Sequence, residues 1–332
     1  MIKSIGSINN LTMEEKNKWF GFLIALPALI AIFSTIFYPL LIGIINSFLD
    51  LKLTNLKDNT FNWNGINNYI KLFNDRYFWN ALKNTVLFTT SWTFGAAFIG
   101  LIAAVLLNKE TKINRIIASI LLIPWIVPPV AVALLFRTMA ASRNGIFNEM
   151  LKDLGLIKRS LRFFESPDLV GISVIISTMW IAFPFFMLFF LAGLKTISKE
   201  MIEGAMIDGA NPLQRFIYIT LPSLKGVIVI STTLSIVWGF NFYDFIYTVS
   251  KGGPLSRSET FVILAQRMAF DQGDFGYASA LGVIWLIILV VASLVYFKKS
   301  SGKPPSSPGG KLLCKPLICL ANFLLLTRFI IF

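Results

Sequence analysis

Long apolar runs dominate the chain, and polar residues are confined to short stretches between them. A bilayer core of about 30 Å is crossed by about 20 apolar residues in a helix. Six runs reach that length: 19 to about 48, 82–107, 116–139, 169–194, 226 to about 249, and 278–297. The pattern predicts an all-α, polytopic membrane protein with six transmembrane helices in a domain spanning 19–297. The first run far exceeds a signal-peptide core of about 7–15 residues, and no A-x-A-like site follows it, so it reads as a retained span. Trp19, Phe20 and Phe48 stand at its ends, where amphipathic rings favour the membrane interface.

Composition supports this. Length alone would give two soluble domains. However, 55% of the 332 residues are hydrophobic, only 14% are charged, and mean hydropathy is positive. Soluble domains carry about 25% charged residues, so a soluble enzyme, a disordered tail and a collagen-like fibre are excluded. The chain has no histidine, and thus lacks the commonest general base and metal ligand. Cys314 and Cys319 fit no common zinc spacing. No Walker A loop is present: Gly252 and Gly253 are followed by Pro254. Nor is there a nucleophile elbow or a dinucleotide fingerprint. No enzyme activity, cofactor, catalytic residue or metal site is expected.

The net charge of +13 would point to nucleic acid in a soluble protein. In a membrane chain, Lys and Arg gather beside anionic headgroups. No basic helix or stripe stands out, so membrane lipid is the expected partner and nucleic acid is not. With the N-terminus inside, Lys and Arg number 16 on the cytoplasmic side against 12 opposite. Lys16 and Lys18 precede the first run, Lys109, Lys112 and Arg115 crowd a short loop, and Lys298 and Lys299 follow the last. Short loops and span ends weigh most in setting orientation, so residues 1–18 read as a cytoplasmic segment. Beyond 297 lies an atypical stretch, 298–332. It is a Ser/Pro/Gly linker and then an apolar tail interrupted by Lys315, Pro316, Asn322 and Arg328. An interfacial segment and an altered reading frame both fit that tail.

Pro124, Pro128 and Pro129 interrupt the third run, so that helix is kinked or broken. A packed kink and irregular backbone lining a cavity both satisfy the pattern.

Residues 198–222 form the most informative loop. Ser198 can cap a short helix, with Glu200 in its first turn. Met201, Ile202, Ala205 and Met206 share a face at helical spacing. Gly209 can end the helix left-handed. Asn211 can cap a second helix with Pro212 at its first position, and Pro222 closes it. Glu203 and Asp208 supply carboxylates. A loop folded on its own bundle and a plug that docks on another protein both fit this pattern.

The segment Glu203-Gly-Ala-x-x-Asp-Gly-Ala … Ile219-Thr-Leu-Pro222 resembles the EAA loop of binding-protein-dependent ABC transporter permeases. Gly204 replaces the central alanine, at about 1 kcal/mol of helix propensity. Three further stretches match in order. They are Asn68-Tyr69 … Leu72-Phe73 … Phe78-Trp79-Asn80-Ala81-Leu82 … Asn84-Thr85, then Leu122-Ile-Pro-Trp125 … Pro128, then Gly252-Gly253-Pro254 … Gly276-Tyr277-Ala278-Ser279-Ala280. Together they place the resemblance in the sugar-permease branch, of the maltose and glycerol-phosphate type. It implies a type I ABC importer permease fold in a bacterial inner membrane. It also implies ATPase coupling through Glu203, Gly204, Ala205, Asp208 and Gly209. The partners it implies are a second permease, two ATP-binding subunits and an extracytoplasmic solute-binding protein facing loops 49–80 and 140–168.

A solute pathway is expected where polar groups enter the spans. Trp238, Asn241 and Asp244 are spaced to share one helix face, with Tyr243 beside them. Sugars present hydroxyls for hydrogen bonding and CH faces for stacking on rings. Interhelical hydrogen bonding at a permease–permease interface is the alternative for the same residues. In maltose-type permeases the matching stretch lines the sugar pocket, and the fourth span contributes; here that part runs from Trp180 to Phe185. The reading is thus a permease subunit forming the path for a sugar or related polyol, driven by a separate ATPase. An ion-coupled secondary transporter is the alternative. It should carry more ionisable groups within its spans than Asp244 and Arg137.

Overall fold

Small residues at four-residue intervals decide which helices approach most closely. In the computed structural model, which describes residues 13–56 and 62–300, Ala96, Gly100 and Ala104 are buried along one side of helix α3 (Arg76–Leu107). A Cβ at Gly100 would stand 2.6 Å from Phe186 Cβ and 2.8 Å from the Met187 nitrogen. The backbone of α7 (Val170–Leu194) therefore lies directly in that groove. Lipid tails are as apolar as side chains, so close packing and hydrogen bonds hold helices together in a membrane. This crossing is the most extensive helix pairing in the fold.

The described elements are helical apart from loops and two isolated bridges, Leu49–Trp63 and Lys52–Asp274. Helix α1 covers 13–46, with a π turn at Phe33–Phe37 ahead of Pro39. Helices α2 (Asn67–Asn74) and α3 follow. Next come α4 (Lys112–Ile126) and α5 (Pro129–Met139), which meet at 93°. Val127 and Pro128 are both extended there (ψ 135° and 134°), because a following proline disfavours helical backbone. The prolines thus break the third run. Beyond α6 (Ile146–Asp153) and α7 lie α8 (Lys199–Ile207), α9 (Pro212–Ser223) and α10 (Lys225–Phe240), the last two bent by 63°. Helix α11 (Asp244–Ser250), a short α12 (Phe261–Gln266) and α13 (Phe275–Ser300) complete the described residues.

In place of six uniform helices, the described residues give three that are individually long and apolar enough to cross a membrane. These are Leu23–Asn46, α3 and α7. Each of the two bent pairs would add one if it crosses as a single broken span, and Phe275–Val291 is a shorter apolar stretch. The expected tail beyond 300, with both cysteines, and the start of the expected N-terminal segment lie outside the described residues.

One apolar cluster joins α3, α7 and α11 through Trp92, Phe186, Phe190 and Phe245, and Trp238 of α10 packs against it. A second packs α13 against α2 and α12 through Leu72, Phe78, Phe261 and Trp285, with the last two rings stacked at 4.4 Å. Polar contacts lock this second cluster. Tyr277 Oη donates to Asp75 Oδ2 at 2.6 Å, the Phe261 amide to Thr85 Oγ1 at 2.8 Å, and Lys71 meets Asp274 at 2.8 Å. Nearby, buried Glu259 pairs with Arg267 at 2.7 Å.

Candidate coupling loop and solute pathway

The 198–222 element is built from local capping. Ser198 Oγ accepts from the Met201 amide at 3.4 Å and opens α8. Gly209, at φ 81°, reverses the chain, and the Ala210 amide donates back to Ala205 oxygen at 2.9 Å. A left-handed glycine ending a helix does this at little steric cost. Asn211 then opens α9 with a reciprocal capping box. Its Oδ1 accepts from the Gln214 amide at 2.9 Å, and Gln214 Oε1 accepts from the Asn211 amide at 2.8 Å. Pro212 occupies the first turn, where its missing N–H costs nothing. Pro222 sits one residue before α9 ends.

Two helices thus meet at a sharp corner. Glu203 and Asp208 are exposed and make no ion pair within the described residues. Met201, Met206 and Leu213 are at least half exposed, Tyr218 is 75% exposed and Ile207 is 87% exposed. Between the helices lies an open hollow of about 400 Å³, lined by Ala205, Asp208, Gly209, Gln214, Arg215 and Tyr218 among others. Apolar tips, carboxylates and a hollow on one corner suit docking on another protein.

The pathway residues divide among several elements. Phe185, on α7, is buried and packs its ring 4.9 Å from Trp238, on α10, and 5.9 Å from Trp125, on α4. Trp180 lies five residues earlier on α7, exposed, with its ring 5.5 Å from Phe136. Helix α10 ends at Phe240. Asn241 donates its amide to Trp238 oxygen at 3.1 Å rather than to Val237, and its Nδ2 takes the freed Val237 oxygen at 2.9 Å. Asn241 Oδ1 is buried with no partner among the described residues. Tyr243 stacks on Tyr247 at 4.9 Å. Asp244 begins α11 and is exposed. Among the described residues no cluster of His, Cys, Asp and Glu could hold a metal ion.

The model of the family described as "binding-protein-dependent transport system inner membrane component" matches residues 96–298. The chain belongs to this family.

This permease is 30% identical over 292 residues to the trehalose/maltose transport system permease protein MalF of Thermococcus litoralis, covering 87% of this chain and 97% of that one. It is 32% identical over 276 residues to the sulfoquinovosyl glycerol transport system permease protein SmoG of Agrobacterium fabrum, covering 83% and 88% respectively. Among solved structures, a bacterial ABC transporter that imports the acidic polysaccharide alginate superposes with a TM-score of 0.73. That match is at 22% identity and covers 86% of this chain and 97% of that one. The fold is thus the all-α ABC importer permease fold, and the permease is a multi-pass inner-membrane transport component.

Within the permease, the structure brings Phe185 and Trp238 together and leaves Trp180 apart. One expectation is corrected: Asn241 and Asp244 do not share a helix face, because the chain leaves helical geometry between Phe240 and Asp244. Asn241 ends the helix by bonding its own backbone, as asparagine does where helices stop. Asp244, expected within a span, opens a new helix, where a carboxylate suits the dipole. Sequence reasoning missed Trp125 as a member of the aromatic group, although the Ile-Pro-Trp stretch marked it. It also missed Ile207, the most exposed apolar side chain of the loop, which follows the predicted face in sequence.

Proposed function

We propose that this permease forms the membrane path for a sugar or related polyol. A separate ATPase drives it through Glu203, Gly204, Ala205, Asp208 and Gly209. The observation that carries this reading is the 198–222 corner, a rigidly capped pair of helices whose apolar tips and carboxylates are exposed. Sugar as solute rests on the naming of the relatives as trehalose/maltose and sulfoquinovosyl glycerol permeases. The rings of Phe185, Trp180, Trp238 and Tyr243, the Asn241 amide and the Asp244 carboxylate are the residue types whose stacking and hydrogen bonding sugars use.

A second permease completes the path, two ATP-binding subunits supply the work, and an extracytoplasmic solute-binding protein delivers the solute. ATP binds one state of the ATPase pair more tightly than the other, and that difference shifts the permease between inward- and outward-facing forms. The breaks at 127–128, 224 and 241–243 are places where helices can change relative angle without unwinding.

Glu203→Lys tests the coupling role. Co-purification of the ATPase and ATP-dependent uptake into vesicles should both fall at least tenfold, while affinity for the solute-binding protein is unchanged. Normal ATPase retention with normal uptake would exclude docking through this carboxylate.

A further inference from the structure

The segment joining α5 to α7, part of the loop expected to face the solute-binding protein, carries a buried turn, an apolar stripe and a polar hollow. Asn144, at φ 61°, and Gly145 turn the chain into α6. Fully buried Asn148 holds the turn: its Nδ2 donates to the oxygens of Ala141 and Leu161, both at 3.0 Å, and its Oδ1 accepts from the Leu161 amide at 2.7 Å. With Asn148 turned inward, Ile146, Met150 and Leu154 line the opposite side, 52%, 55% and 69% exposed. On α5, the preceding helix, Leu134, Leu135 and Met139 are exposed as well.

Beside this stripe lies a polar hollow of about 400 Å³, lined by Ser142, Arg143, Asn144, Lys152, Ser160 and Arg162. Glu149 also borders it, but is paired with Lys152 at 2.9 Å. Three cations therefore face one carboxylate that is already paired. Exposed Asp153 is the other acid of α6, and exposed Lys158 and Arg159 add positive charge nearby.

A helix with an apolar stripe and a basic flank settles in the membrane interface, and basic side chains there attract anionic headgroups. We propose that 142–162 is a membrane-interface element, in which the Arg143–Arg162 hollow holds the phosphate of an anionic phospholipid while Ile146, Met150 and Leu154 enter the acyl layer. The segment follows an apolar helix directly in the chain and the hollow is cationic, so an anionic lipid matches both the stripe and the hollow at once. The inference is independent of the solute and of the coupling loop.

The test uses the full chain in mild detergent, titrated with phosphatidylglycerol, phosphatidylcholine or inorganic phosphate and read by native mass spectrometry. Phosphatidylglycerol should be retained preferentially, and Arg143→Gln and Arg162→Gln should each weaken its retention roughly fivefold. Equal retention of phosphatidylcholine, indifference of both variants, or displacement by equimolar phosphate would overturn the proposal. So would loss of solute-binding-protein association in the variants with lipid retention intact, which would assign the surface to protein docking.

A second measurement does not depend on the hollow tolerating substitution. A spin label at Met150→Cys, with Cys314 and Cys319 changed to serine, should be more accessible to oxygen than to a water-soluble nickel chelate in lipid nanodiscs. The reverse order would place α6 in water and refute the proposal.

Discussion

At the scale of single residues, glycines separate positions that packing forbids from positions that remain open. Gly100→Ala would set a Cβ 2.8 Å from two backbone atoms of α7, the Met187 nitrogen and the Phe183 oxygen. Backbone cannot yield as a side-chain tip can, and overpacking of this kind costs about 1–3 kcal/mol. A lower unfolding midpoint in detergent is the expected result. Gly239→Ala meets ring and methyl atoms of Trp92 and Thr89 at 2.8–2.9 Å and should behave similarly. Gly204 is the opposite case. Nothing lies within 4 Å of its Cβ position, so Gly204→Ala should stabilise α8 by about 1 kcal/mol. Slower amide exchange across Lys199–Ile207, with ATPase association retained, would be the sign. Gly209 also has open space, yet its φ of 81° disfavours a side chain. Alanine there should loosen the corner despite the room.

At the scale of elements, caps and breaks explain what was legible in the sequence. Ser198, Gly209, Asn211 and Pro212 each act within a few residues of themselves, so their roles were readable before any packing was known. The prolines at 128 and 129 likewise announced a break, because a proline acts on its immediate neighbour. The break at 241–243 was not legible. Periodicity continues through Trp238, Asn241 and Asp244, and nothing local distinguishes a helix that goes on from one that stops. The outcome depends on Asn241 folding back onto Val237 and on Gly239 seating against α3, a contact distant in sequence. Asn241→Leu should therefore extend α10, and uptake should fall while ATPase association persists; unchanged uptake would show that the break is not needed. The α13 lock rests on the Tyr277 hydroxyl bonded to Asp75. Tyr277→Phe should cost about 1 kcal/mol of stability, read as a lower thermal unfolding midpoint in detergent; an unchanged midpoint would show that the bond is not stabilising.

At the scale of the whole molecule, the apolar runs foretold a helical membrane protein, but the straight-span picture missed how the runs are joined. Composition records how much apolar surface exists; it does not record where a helix turns. The proposed division of labour makes a simple demand. Uptake into vesicles should require the ATPase and ATP, and should survive an ionophore that dissipates ion gradients. Uptake by the chain alone against a gradient would refute it. The glycine-lined seat between α3 and α7 also sets a timetable for biogenesis. Roughly 90 residues lie between the ends of these two helices, so at about 5–20 residues per second the first waits about 4–18 s in the bilayer for the second. During that interval its groove, and the threonines that later meet α10, stand open to lipid and to any insertion factor at hand. Ribosome-stalled chains halted before residue 170 should therefore crosslink to such a factor through α3, and chains halted after α7 has emerged should not.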